Sequence, residues 1–195
     1  MRSEAFNIDR YTGGEPAQQF DFLYENYSIL DEILRDYRED IIMEVIEQKT
    51  YNRRSQDGDL GVRVQVSRGT SNPTMKQAIN HLTIAQAIDE GFLDEDFFED
   101  TDDKQELIRK ITCYHQVNSD LQTFTSKLKT MRPDDQKIIK PYLLGEKTLG
   151  ELAEDMGIEY RSVVKQVYRI KKRLVAKVEP RLVVMKRRGA EYNGI

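Results

Sequence analysis

Arg161, Lys165, Arg169 and Lys172 follow one another at intervals of four, four and three residues. On a helix turning about 100° per residue they gather on one side. Val163, Val167, Ile170 and Leu174 fall in a narrow sector opposite. A helix that is apolar on one face and cationic on the other can bury the first against a scaffold and turn the second toward phosphate. That is the chemistry of a helix that docks in the major groove.

Groups able to catalyse a reaction are sparse. His81, Cys113 and His115 are the only histidines and cysteine, and a single intervening residue puts Cys113 and His115 on different sides of a helix. A partly buried thiol and two polar histidines account for them better than a nucleophile or a metal site. The chain has no phosphate-binding glycine loop, no dinucleotide fingerprint, no paired-histidine zinc motif and no nucleophile elbow. Paired carboxylates are so abundant that they arise by chance. The expectation is a protein that is not an enzyme, with no catalytic residues, no metal and no cofactor.

The elements that must hold the cationic face are legible around it. Residues 148–174 read as a helix-turn-helix: Leu149, Leu152 and Ala153 make the apolar stripe of a first helix, Gly157 supplies a positive φ where it stops, and Ile158 plugs the corner. The run Met131-Arg132-Pro133-Asp134 closes one helix and caps a supporting segment at 135–144. Pro141, lacking an N–H, should kink or end that segment. The helix-turn-helix domain is placed at 131–180, with a break at Pro180. Residues 181–195 then form a basic tail carrying Arg181, Lys186, Arg187 and Arg188.

Upstream, residues 1–19 read as a flexible arm, and 20–130 as an acidic helical module. Leu23, Tyr27, Leu30, Leu34, Tyr37, Ile41 and Val45 recur at three- and four-residue intervals, so 21–48 is expected to be one long amphipathic helix. Residues 50–73 hold three glycines and Arg53, Arg54, Arg63 and Arg68, with a short alternation at Val62, Val64 and Val66. They read as a Gly/Arg-rich loop with a small strand, either a binding element or a flexible connector. Asn72 and Pro73 start a helix whose stripe is Met75, Ala78, Leu82 and Ala85, and Gly91 ends it. The acidic run 92–103 is a connector pinned by Phe92, Phe97 and Phe98, without the glycine and closing glutamate of a calcium loop. A further helix at 103–130 turns Leu107, Ile111, Tyr114, Leu121, Phe124 and Leu128 inward.

Composition bounds the class. The 195-residue chain is 33% charged, has no tryptophan and a net charge of -4. The average conceals a division: residues 126–195 hold 17 Lys+Arg against 9 Asp+Glu, a balance of +8, whereas 1–125 hold 13 against 25, a balance of -12. A basic module joined to an acidic one can be steered to phosphate while the rest faces another partner. A lone cysteine rules out an internal disulfide, and no apolar run approaches the roughly 20 residues that cross a bilayer. A cytoplasmic, DNA-associated protein with no membrane contact is expected.

The segment 131–174 resembles domain 4 of bacterial sigma factors, in particular the compact extracytoplasmic-function type. The resemblance is carried by Pro133, by Thr148-Leu149 followed by Glu151-Leu152-Ala153, by the turn Met156-Gly157-Ile158, and by the run from Val163 ending in Arg169, Lys171, Lys172 and Arg173. It implies a trihelical unit binding double-stranded DNA. Tyr160, Arg161, Ser162 and Lys165 would stand at base-reading positions and Arg169 and Lys172 nearer phosphate, with Arg173 also among the DNA-binding residues. Arg161 stands where that family usually has glutamate, so the familiar -35 element is not implied. A basic, aromatic region for melting the -10 element is missing, because 21–48 is acidic.

The whole layout is similar to that of the RinA/ArpU-type regulators of phage and prophage late genes. This implies a mainly α protein: an N-terminal acidic helical module, a C-terminal sigma-domain-4-like helix-turn-helix, and bacterial RNA polymerase, with or without sigma, as partner. A homo-oligomer is compatible with it. The expected function is sequence-specific transcription activation. The alternatives are a divergent sigma factor and a phage DNA-packaging protein of the small-terminase kind.

Overall fold

The computed structural model describes residues 8–56, 73–91 and 93–192, and among them every regular element is a helix. In chain order these are α1 (Asp9–Gly13), α2 (Pro16–Asn26), α3 (Leu30–Gln56), α4 (Pro73–Glu90), α5 (Glu95–Phe98), α6 (Lys104–Lys129), α7 (Pro133–Leu143), α8 (Leu149–Met156) and α9 (Tyr160–Tyr192). The fold is mainly α. None of these helices is long and apolar enough to cross a membrane. The chain divides into two units: residues 1–34 with 113–195, and residues 35–112. The dividing points fall inside α3 and α6, so neither unit matches the expected split at 130.

In the first unit the helices gather around Phe20, Leu23, Leu30, Phe124, Leu128, Ile139, Ile170 and Leu174, all essentially removed from water. Helix α9 packs on α2, α7 and α8. The expected arm is corrected from residue 8 onward, and residues 1–7 lie outside the described residues. Ile8 and Tyr11 are buried. Tyr11 gives its hydroxyl proton to Asp120 Oδ2 at 3.1 Å, Gln19 Nε2 donates to the Tyr11 carbonyl at 3.1 Å, and Cys113 Sγ reaches the Ile8 carbonyl at 3.1 Å. Buried apolar area and these long-range hydrogen bonds make a polar Gly/Pro-punctuated segment an ordered one.

The expected long helix at 21–48 is two helices. Asn26 turns its side-chain amide onto the Phe22 carbonyl at 2.8 Å, and 27–29 form a turn before α3 begins. Side-chain amides compete in this way with backbone donors. Within the expected stripe, Leu23, Leu30, Leu34, Ile41 and Val45 are buried, and Tyr27 and Tyr37 half-buried. Helix α3 runs on to Gln56, shortening the expected 50–73 loop; its remaining residues, with the small strand, Arg63 and Arg68, lie outside the described residues.

The second unit is built on Ile41, Ile42, Val45, Ala85, Ile88, Phe97, Phe98, Leu107 and Ile111. Only the last turns of α4 pack inward: Ala85 and Ile88 are buried, whereas Met75, Ala78 and Leu82 of the expected stripe are exposed. The Phe97 and Phe98 rings meet edge to face at 5.0 Å, anchoring the acidic connector. Asp94 caps α5 through the Phe97 N–H, and Arg38 grips Asp89 with two 2.6 Å contacts.

Helix α9 passes through Pro180 to Tyr192, so the break expected there does not occur. Proline lacks a donor and crowds the preceding turn, at a cost of about 3 kcal/mol in a helix interior. Val178 and Leu182 on either side of it are buried and extend the stripe of Val167, Ile170 and Leu174. Burying two such side chains contributes about 1.5–3 kcal/mol each, which offsets the proline.

Candidate nucleic-acid interface

The interface is prepared by three short elements in front of α9. Helix α7 ends at Leu143, two residues beyond Pro141. The Pro141 carbonyl, which a continuing helix would engage, instead accepts from Glu146 N at 2.9 Å and Lys147 N at 3.2 Å, across Gly145 at φ +70°. Helix α8 opens with a capping box. Thr148 Oγ1 accepts from Glu151 N, and Glu151 Oε2 accepts from Thr148 N at 2.7 Å. Those Thr148 hydrogen bonds hold the Glu151 carboxyl below its ordinary value. Its carboxylate therefore occupies the helix N-terminus, which the free amides would otherwise offer to an anion.

Gly157 closes α8 in the left-handed region at φ +62°, with its N–H on the Glu154 carbonyl and the Ile158 N–H on the Ala153 carbonyl, both at 3.1 Å. Two carbonyls that would otherwise lack partners are satisfied, and the chain turns directly into α9. Helix α8 packs on α9, with Leu152 and Ala153 of the one and Val163 and Val167 of the other buried, while Ile158 is half-buried at the corner.

On α9 the buried stripe leaves the opposite sector to solvent. Arg161, Lys165, Arg169 and Lys172 are all exposed, and none has an ion-pair partner among the described residues. Ser162 is half-buried beside them, its N–H bound to the Glu159 carbonyl at 2.8 Å. Tyr160 is 55% exposed at the start of the helix. Tyr168, which sequence reasoning did not single out, is 67% exposed. It stands three residues after Lys165 and four before Lys172, so it lies within the cationic sector. The signal was available: Tyr168 falls off the apolar stripe, where an aromatic ring has no core to enter.

The basic run at 169–173 divides into two jobs. Arg173 is engaged with Asp135 of α7 at 2.7 Å, and that carboxylate is only 14% exposed. Of the expected DNA-binding residues, Arg173 is thus the one whose side chain ties α9 to its support. Lys171 pairs with Asp21 of α2 at 2.7 Å and lies 4.6 Å from the centre of the Tyr24 ring. Arg169, two positions before Lys171, and Lys172, between Lys171 and Arg173, are exposed and point away from the scaffold. Four adjacent cations thus give two clamps and two free charges.

Around the turn the field changes sign, because Glu151, Glu154, Asp155 and Glu159 are exposed and only Asp155 is neutralised, by Lys147. Any polyanion must approach α9 along its cationic side and keep clear of α8. Cys113 is buried, and His81 pairs with Glu39 at 2.7 Å in the other unit. Among the described residues no group of histidine, cysteine and carboxylate side chains could hold a metal ion. The chain matches no family model, no curated protein and no solved structure.

Proposed function

We propose that this protein is a sequence-specific binder of double-stranded DNA that regulates transcription, with α9 as the element entering the major groove. The observation that carries the reading is the unpaired cationic sector of Arg161, Lys165, Arg169 and Lys172, grouped about Tyr168 on a helix whose other face is locked into the core. A rigid helix presenting unneutralised charge is suited to a polyanion, since its cations need no internal partner released first. Arg161 and Lys165, nearest the turn, are assigned to base edges, where bidentate contact with guanine O6 and N7 distinguishes sequence. Arg169 and Lys172, farther along, are assigned to phosphates, which fix register. The acidic half of the chain, at -12 over residues 1–125, is repelled by DNA and is assigned to a protein partner, with RNA polymerase the partner the sequence resemblance favours.

The test begins with selection of bound duplexes from a random pool, followed by titrations on the selected site and on unrelated DNA. Lys172→Ala is expected to weaken both and to lower the slope of log affinity against log salt by roughly one unit. Arg161→Ala should relax preference at one base pair, at about 1–3 kcal/mol. An unenriched pool, or identical losses on both DNAs for both variants, would overturn the proposal. Capture of purified core polymerase by the intact protein tests the partner assignment separately.

A further inference from the structure

A groove enclosing about 380 Å³ lies between the second half of α6 and the far end of α9. Its walls are unusual in charge. Ser119, Thr123 and Ser126 bring hydroxyls, Gln122 an amide, Lys127 an ammonium and Arg181 a guanidinium; among the described residues no carboxylate lines it, and Val184 is the one apolar wall residue. Its six polar side chains include two cations and, among the described residues, no counter-charge.

None of the six side chains has a hydrogen-bond or ion-pair partner among the described residues. Helical hydroxyls commonly satisfy themselves on the carbonyl one turn back, as Thr83 does on Ile79 at 2.9 Å. Ser119, Thr123 and Ser126 do not. Their donors, together with the ammonium, the guanidinium fork and the amide, remain available to one guest. A carboxylate offers two acceptor oxygens; a phosphate monoester offers three, spread tetrahedrally, and matches both cations and several hydroxyls at once. The groove is larger than a bare phosphate and falls within the range of small-molecule sites. Among the described residues no aromatic ring lines it to stack a base.

We infer that this groove binds a small phosphate monoester on a polar, hydroxyl-rich body, a sugar phosphate being the class that fits. Arg181 and Lys127 hold the phosphate, and the serine, threonine and glutamine side chains meet the body. The site is separate from the cationic sector of α9. At 100° and 1.5 Å per residue, Arg181 lies about 160° around the helix from Lys165 and about 24 Å along it. DNA and this ligand therefore occupy different faces of one helix.

The test is calorimetric titration of the intact protein with glucose 6-phosphate at constant ionic strength, with glucose and citrate as controls. A single saturable site for glucose 6-phosphate is expected, with much weaker binding of both controls. Arg181→Gln at an exposed position and Lys127→Gln at a half-buried one should each raise the dissociation constant at least about tenfold while leaving helix content unchanged, the scale of one charge-assisted hydrogen bond. Lys172→Ala should have no effect. Absence of saturation, equal binding of citrate or glucose, or unchanged affinity in both glutamine variants would overturn the assignment. Loss of binding in Lys172→Ala, or displacement by duplex DNA, would overturn the separation of the two sites. Neither result bears on whether α9 reads DNA.

Discussion

Asp120 is 1% exposed; its Oδ2 takes the Tyr11 hydroxyl, while its Oδ1 has no partner among the described residues. Burial pushes this carboxyl from 3.8 up to about 6, against the opposite pull of the Tyr11 hydrogen bond. Because the folded chain holds the proton more tightly than the unfolded one, the group favours folding most below pH 3.8. That contribution is lost as pH rises through about 6. Asp120→Asn should therefore be more stable than the parent at pH 7, by on the order of 2 kcal/mol, and should flatten stability across pH 4–6. Urea unfolding at pH 4.5 and 7.5 measures both; a variant weaker at pH 7.5 would mean that the ionised form is the better-held one. Neighbouring cations on α9 separate by the same kind of local accounting. Arg173→Ala strips the half-buried Asp135 of its partner and should cost about 1 kcal/mol of stability while leaving the salt slope of DNA binding intact, whereas Lys172→Ala should do the reverse. Finding one pattern for both variants would show that the division between clamp and reader is wrong.

At the level of helices and turns, Gly157 and Thr148 set the geometry in front of α9. A Cβ at Gly157 would meet nothing within 4 Å, so Gly157→Ala should cost only the left-handed backbone penalty, about 1–2 kcal/mol. Thr148→Ala removes a capping bond, at about 1 kcal/mol. Thermal or urea unfolding reads each directly, and an unchanged midpoint for either would deny it a structural part. The Gly157 turn was legible from sequence because its cause is local, a glycine after an apolar stripe; the Thr148–Glu151 capping box is equally local but was not singled out. The exposure of Arg161, Lys165, Arg169 and Lys172 was legible for a similar reason, being the complement of the Val163–Val167–Ile170–Leu174 stripe. What lay hidden depended on distant chain. Arg173 and Lys171 differ from Lys172 only through Asp135 and Asp21, whose arrival no spacing announces. The persistence of α9 through Pro180 follows from packing of Val178 and Leu182, and the order of 8–19 from Asp120 and Cys113, about a hundred residues away in sequence. On α4, a regular apolar spacing exists without burial of Leu82, so periodicity overstated the core there.

For the whole molecule, the consequential fact is that residues 1–34 and 113–195 fold as one unit. Helix α9 rests on α2 as well as on α7 and α8, and Lys171 crosses to Asp21. A fragment of residues 131–195 should therefore lack a cooperative unfolding transition and show no preference for the selected DNA site, although it keeps every residue assigned to contact it. Circular dichroism during heating tests this; a sharp transition in that fragment would return the reader to independence. The same closure has a bearing on synthesis. Phe20 and Leu23 leave the ribosome about 150 residues ahead of Ile170 and Leu174, and the part of α2 that α9 covers stays open until that late helix arrives. A message cut short before α9 should yield a chain that proteases degrade faster, so the cationic sector and the covered core are completed by the same closing step.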